Sequence, residues 1–244
     1  MTLAPGDGGP VVLVSALVAV LVVAVFGWNP FATYRDTSGV LDDGYSSFET
    51  GYHRQPNGVY RVRALTRMPN VKAKMVRWWF ADYMQTTEHY KRWHPMAHVW
   101  MDWENKVPGE IVGASHLVHE YIGEDLSKLR IQFVDAEEFF GSLEEREDQF
   151  VLCARVGELE QPLNMATMCH YVRDTPFGDE IRSTFWLGHI AKRNGNDTIF
   201  SIEGLLGNTM LSRSAMAGEQ LANNLMTHAI QEMGNLADFL PQLY

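Results

Sequence analysis

The chain has 244 residues, 46% hydrophobic and 20% charged, and its 20 Lys and Arg against 30 Asp and Glu give a formal charge of −10. Those proportions exclude a disordered or low-complexity scaffold. They also exclude a protein built mainly to bind nucleic acid, because phosphate contacts need clustered cations and no long basic block is present. Cys153 and Cys169 are too few for a disulfide framework or a cysteine-based zinc knuckle.

Taken in chain order, residues 1–10 read as a short tail, and residues 11–28 (VVLVSALVAVLVVAVFGW) are uncharged throughout. At about 1.5 Å per residue such a run spans roughly 27 Å, close to a bilayer's hydrocarbon thickness. The expectation is a single-pass membrane anchor, with a cleaved signal sequence as the alternative. Arg35, the nearest cation, gives only a weak pointer to a cytoplasmic catalytic part. Residues 29–58 are rich in Gly, Ser, Asp and Tyr and predict a linker or extended arm. Residues 59–244 then form the folded domain.

Within it, VYRVRALT (59–66) alternates as a strand does, and 71–90 follows a helical pattern. Strands are expected over 98–103, 110–121, 129–134, 149–155, 165–173, 180–188 and 198–203, separated by loops carrying turn residues. Residues 214–240 contain no proline, and Pro241 is expected to end a long helix. Leu221, Leu225, Leu236 and Phe239 share one stripe of that helix, with Glu232 inside it and His228 at its edge. The fold class is therefore α+β: a curved antiparallel sheet of six or seven strands gripping a long carboxyl-terminal helix, with a cavity between them.

Three clusters carry possible chemistry. His228 and Glu232 form an H-x-x-x-E pair one helical turn apart, and a carboxylate on an apolar stripe needs a partner or a metal. In SHLVHEYIG, a strand would aim His116, Val118 and Glu120 at one face, with a solvated face as the commoner outcome. HYKRWHPMAH holds His89, Tyr90, His94 and His98, and Pro95 turns the chain out of its helix there; surface histidines are the expectation for most of that cluster. Two histidines with two carboxylates suit zinc. HExxH, CxxC, P-loop and GxSxG motifs are all missing from the sequence. His170 is read as a core histidine unless its strand faces the cavity. Arg182, Ser183 and Trp186 stay equally open between structural and site roles.

The stretches 75–98, 111–123, 169–189 and 225–244, in this order, resemble the 2,4-diacetylphloroglucinol hydrolase family, which includes phloretin hydrolase. The resemblance runs from about Gly44 to the carboxyl terminus. It implies a helix-grip (Bet v 1-like) fold and a zinc-dependent hydrolase domain over 59–244. The reaction implied is cleavage of the carbon–carbon bond between an acyl group and a polyhydroxylated ring. Carried over residue by residue, the Zn2+ ligands would be His98 (in preference to His94), Glu120, His228 and Glu232, and the catalytic histidine would be His170. Tyr90 would hold a phenol group of the substrate, and Trp186 is taken as a further substrate contact. Met101 and Phe185 stand where the family has an asparagine and a tyrosine, which leaves the ring substitution open. The partner expected is a small aromatic ketone, and the resemblance also suggests a homodimer. The rival reading is a non-catalytic helix-grip carrier of an apolar or aromatic ligand.

Overall fold

A computed structural model describes residues 34–144 and 146–244. In chain order the elements are β1 (Gly51–Arg54), β2 (Tyr60–Pro69), α1 (Ala73–Trp78), a π-helical turn (Trp79–Tyr83), α2 (Thr87–Trp93), β3 (His98–Glu104), β4 (Ser115–Ile122) and β5 (Asp125–Val134). They continue with α3 (Glu137–Phe140), β6 (Gln149–Glu158), β7 (Leu163–Thr175), β8 (Gly178–Asn194), β9 (Asp197–Ile199), α4 (Ile202–Gly207), α5 (Met210–Met216) and α6 (Glu219–Leu243). The strands form one antiparallel sheet in the order β1-β2-β8-β7-β6-β5-β4-β3, with β9 added to β8. Helix α6 lies across one face of this sheet, which is the helix-grip arrangement expected.

The long helix differs from its sequence reading at both ends. Residues 214–216 close the separate helix α5, and Gly218, extended at φ −111°, starts α6. Pro241 falls in the last turn, where one missing N–H breaks little, and the helix runs through it to Leu243. The buried stripe is also rotated. Ala222, Ala229 and Leu236 alternate with Met233 and Leu240 as the fully covered positions, whereas Leu221 is 37% exposed. Two of these contacts are alanines, so the helix can lie close on β2 and the sheet's core side chains.

Both faces of the sheet are covered. Toward α6 the core contains Val62, Met68, Val118, Phe133, Met168, Val172, Ile181 and Phe185. On the opposite face a smaller core of Val40, Val59, Val134, Cys153, Cys169, Tyr171 and Trp186 lies beneath the arm that precedes β1. Cys153 and Cys169 face each other across β6 and β7 and form a disulfide, so the two cysteines do staple the sheet.

The arm is held by buried arginines. Arg61 pairs with Asp36 at 2.7 Å, and Arg63 donates to the Gly39 carbonyl at 2.9 Å and to Glu49 at 3.2 Å. Arg182 donates to the carbonyls of Asp42 and Gly44, each at 2.6 Å, and pairs with Glu49 at 2.9 Å. Such a loop can lie on apolar surface because its main-chain oxygens are satisfied by charged donors.

The membrane expectation is corrected: among the described residues no helix is long and apolar enough to cross a membrane. Residues 11–28, on which that expectation rested, lie outside the described residues.

Candidate metal centre

Four elements converge on one point. Helix α2 is capped by the Thr86 side chain and ends at Trp93, and Pro95 keeps it from continuing. A tight turn then feeds β3, with the His98 N–H donating to the His94 carbonyl at 2.9 Å. His98 is the first residue of β3, and the sheet register sets it directly beside Glu120 of β4. On β4 the alternation puts His116, Val118 and Glu120 on the inner face, 2%, 0% and 7% exposed, so the solvated reading of that face is overturned. Helix α6 brings in His228 and Glu232 one turn apart, 6% and 7% exposed.

A turn fixes the other side of the site. Gly123, at φ +70°, links β4 to β5, and a Cβ there would fall 2.1 Å from Nδ2 of Asn224 on α6. That close approach needs glycine and sets the Tyr121 carbonyl against His228.

The donor atoms are close-set. His98 Nε2 lies 3.7 Å from a Glu120 oxygen and 3.6 Å from a Glu232 oxygen. His228 Nε2 lies 3.9 and 3.7 Å from the same two oxygens. One donor atom each from His98, Glu120 and His228 fit within 4.8 Å of one another. Donors about 2.0–2.1 Å from a tetrahedral ion stand about 3.3 Å apart, so the imidazole–carboxylate spacings of 3.6–3.9 Å need contract only slightly around one.

Each imidazole is oriented from behind. His98 Nδ1 meets the Tyr90 carbonyl at 2.9 Å, and His228 Nδ1 meets the Tyr121 carbonyl at 3.2 Å. A carbonyl can only accept, so Nδ1 carries the proton and Nε2 presents its lone pair to the centre. Buried His98 Nε2 has no hydrogen-bond partner. Burial holds the His98 pKa below its ordinary value, which keeps the ring neutral, as a metal ligand must be. Glu232 is pushed up to about 8, first by burial and then by Glu120, with His228 opposing. Two carboxyl groups and two imidazole Nε2 atoms meet at a buried point, and among the described residues neither carboxyl pairs with a Lys or Arg side chain. A divalent cation fits that donor set.

The surroundings contain more histidine than the sequence led us to place indoors. His94 is 5% exposed, with its ring centre 5.0 Å from that of His228 and 5.4 Å from that of His98. His116 stacks on Trp103 at 4.6 Å and meets the Tyr90 ring edge-on at 5.1 Å. Burial drives their pKa values to about 4 and about 3, so both are uncharged near neutrality.

His170 lies on β7, three strands across from Glu120 and on the same face of the sheet as Met168 and Val172. Its Nδ1 lies 2.8 Å from the Ser183 hydroxyl, its ring meets Phe185 edge-on at 5.9 Å, and burial lowers its pKa to about 4. Ser183 was left open between a structural and a site role by the sequence, and strand pairing sets it beside His170.

Trp186 requires a correction. It sits on the opposite face, fully buried against Phe139, and donates from Nε1 to the Asp36 carbonyl at 3.1 Å. It fills the outer core and is not available to a substrate beside α6. Two surface depressions among the described residues, one against β8, β9 and α4 and the other beside α1 and α3, are not lined by the four converging residues.

Residues 31–244 match the family described as the DAPG hydrolase PhiG domain. A 2,4-diacetylphloroglucinol hydrolase of Pseudomonas protegens is 26% identical over 232 residues, covering 86% of this chain and 72% of the relative. Phloretin hydrolase of Eubacterium ramulus is 25% identical over 216 residues, covering 83% and 73%. Among solved structures, Ara h 8.0201 is similar at a TM-score of 0.44 and 8% identity, covering 78% of this chain and 98% of its own. Matched over nearly all its described length, the chain belongs to the DAPG hydrolase PhiG domain family and stands among the hydrolases.

Proposed function

We propose that the chain is a zinc-dependent hydrolase that splits an acylated polyhydroxybenzene into a carboxylic acid and the deacylated phenol. The observation that carries this reading is the gathering of donor atoms from His98, Glu120 and His228 at one buried point, with Glu232 at 3.6 and 3.7 Å from the two imidazoles. The substrate class rests on the relatives, which are hydrolases of 2,4-diacetylphloroglucinol and phloretin. When bound, the ion supplies Lewis acidity toward a carbonyl oxygen and acidifies water.

The residues around it do the rest. His98 and His228 hold their Nε2 lone pairs inward, and the two carboxylates offset the ion's charge. The aryl–acyl bond is hard to break directly, because the ring would leave as a carbanion. A ring bearing several hydroxyls escapes this by tautomerising, so that the ring carbon gains a proton and the bond resembles that of a β-dicarbonyl. His170, neutral and anchored through Nδ1 to Ser183, is the group proposed to carry that proton. Water then adds to the acyl carbon, the carbon–carbon bond breaks, and its electron pair returns to the ring as an enol. The products are one acid and one phenol, and the atoms of one water are consumed.

The test is metal analysis of the purified chain followed by cleavage of an acylphloroglucinol with and without chelator. One equivalent of zinc and chelator-sensitive release of acid are expected. A metal-free protein that binds the ketone without cleaving it would establish the carrier reading instead.

A further inference from the structure

We propose that Ser183 is a positioning residue for His170, its hydroxyl holding the imidazole in one orientation through every protonation state that a proton carrier passes. The proposal rests on the hydrolase reading above and names what steadies its proton carrier. His170 and Ser183 stand directly opposite each other on β7 and β8, and His170 Nδ1 lies 2.8 Å from the Ser183 hydroxyl. The two residues are 2% and 0% exposed. The other neighbours that the sheet gives Ser183 on this face are apolar: Ala64 across on β2, and Ile181 and Phe185 two residues away on β8. His170 is flanked in the same way by Leu152 on β6 and by Met168 and Val172 along its own strand. A hydroxyl buried in such a setting is costly unless it is bonded, and the bond it makes is to the histidine.

The partner behind each imidazole differs in kind. His98 and His228 lean on carbonyls, which only accept, so each keeps its proton on Nδ1 and its lone pair on Nε2, as a ligand must. A hydroxyl both accepts and donates. It accepts from Nδ1–H while Nε2 is a free base, goes on accepting when the ring is cationic, and donates to Nδ1 when the one proton sits on Nε2. Among the described residues no hydrogen bond reaches Nε2 of His170, so that nitrogen is left to the substrate. There its lone pair takes the proton of a ring hydroxyl, and the N–H so formed gives it to the ring carbon. One O–H bond breaks, one C–H bond forms, and the imidazole ends as it began. Burial lowers the His170 pKa to about 4, which makes the cation a ready donor. An uncharged partner leaves that tendency intact, where a carboxylate would oppose it.

The experiment compares Ser183→Ala, Ser183→Thr and Ser183→Val in the full, zinc-loaded chain, alone and in a His170→Gln background. Threonine and valine share nearly one shape, so their difference isolates the hydroxyl, while alanine removes it without adding bulk. Alanine and valine should lower kcat for an acylphloroglucinol by about 10–100-fold, part of the roughly 100- to 10,000-fold that a proton-transfer group contributes, with KM and Zn2+ content unchanged. Threonine should restore most of that turnover. In the His170→Gln background Ser183→Ala should cost about twofold or less, because nothing is left to position. Histidine 15N spectra give a readout without turnover: the ring nitrogens identified by their loss in His170→Gln should move in Ser183→Ala and hold their place in Ser183→Thr. Wild-type kcat in Ser183→Ala with unmoved nitrogens would overturn the proposal. Equal losses with and without His170, or a fall in zinc content that accounts for the lost turnover, would overturn it as well. A wild-type chain that leaves the ketone whole would instead bring down the hydrolase reading, and the proposal with it.

Discussion

Glu232 shows how much one residue concentrates at this site. It is a carboxyl group on the packed side of a helix, within 3.7 Å of both imidazoles, with its pKa pushed up to about 8 by burial and by Glu120. Glu232→Gln keeps the shape and removes the charge, so zinc content and turnover should be lost together. Metal analysis beside an activity assay checks this, and full occupancy with full turnover would refute the assignment.

His170 makes a different prediction. Its pKa is lowered from 6.5 to about 4 by burial, so between those values the unfolded chain holds a proton that the folded chain refuses. The stability it contributes is whole above about pH 6.5 and is lost as pH falls toward 4, up to about 3 kcal/mol. His170→Gln should flatten the fall of the urea midpoint across that window by about one proton's worth, measured at half-unit steps of pH.

At the level of elements, the sheet divides its labour between two faces. The inner face carries the proposed ligands, and the outer face holds the arm through Arg61, Arg63 and Arg182. Glu49 is the counter-charge shared by Arg63 and Arg182, both 2% exposed or less. Glu49→Ala leaves two buried guanidinium groups short of an anion and should cost about 3–5 kcal/mol, read by urea denaturation. Limited proteolysis should then cut first within residues 36–49.

This division also explains what could be read in advance. The i, i+4 pair at 228 and 232 and the alternation through 116, 118 and 120 are local patterns: each grouped its residues on one face, but the second did not say that its face is the buried one. Trp186 gave no such signal: Asp179 through Gly188 is buried on both sides, and a strand covered twice does not alternate. The arm was legible as irregular chain but its attachment was not, because main-chain oxygens receive the guanidinium groups and residue types do not record them. The bond from the Tyr90 hydroxyl to Glu120 was not legible for a similar reason. Thirty residues separate the hydroxyl from its acceptor, and only the pairing of β3 with β4 brings them together. Helix α4 took the place of part of an expected strand because Ser201 caps it, accepting from the Gly204 N–H at 3.0 Å.

For the molecule as a whole, the disulfide and the candidate metal centre sit on opposite faces and should act independently. Cys153 and Cys169, 16 residues apart in sequence, close a loop whose cross-link is worth about 3 kcal/mol against unfolding. Reduction should lower stability by about that amount and leave Zn2+ affinity unchanged. Parallel denaturation and metal titrations with and without reductant test both halves, and a linked loss of affinity would show that the faces communicate.

Both imidazoles lean on main-chain oxygens, those of Tyr90 and Tyr121. No substitution can delete a carbonyl. The Tyr121 side chain, 41% exposed, can be exchanged freely in a mutant library while its oxygen goes on steering residue 228. Whoever sets out to retarget this enzyme can therefore randomise the neighbourhood widely, since what aims the histidines is inherited with the backbone and not with the codon.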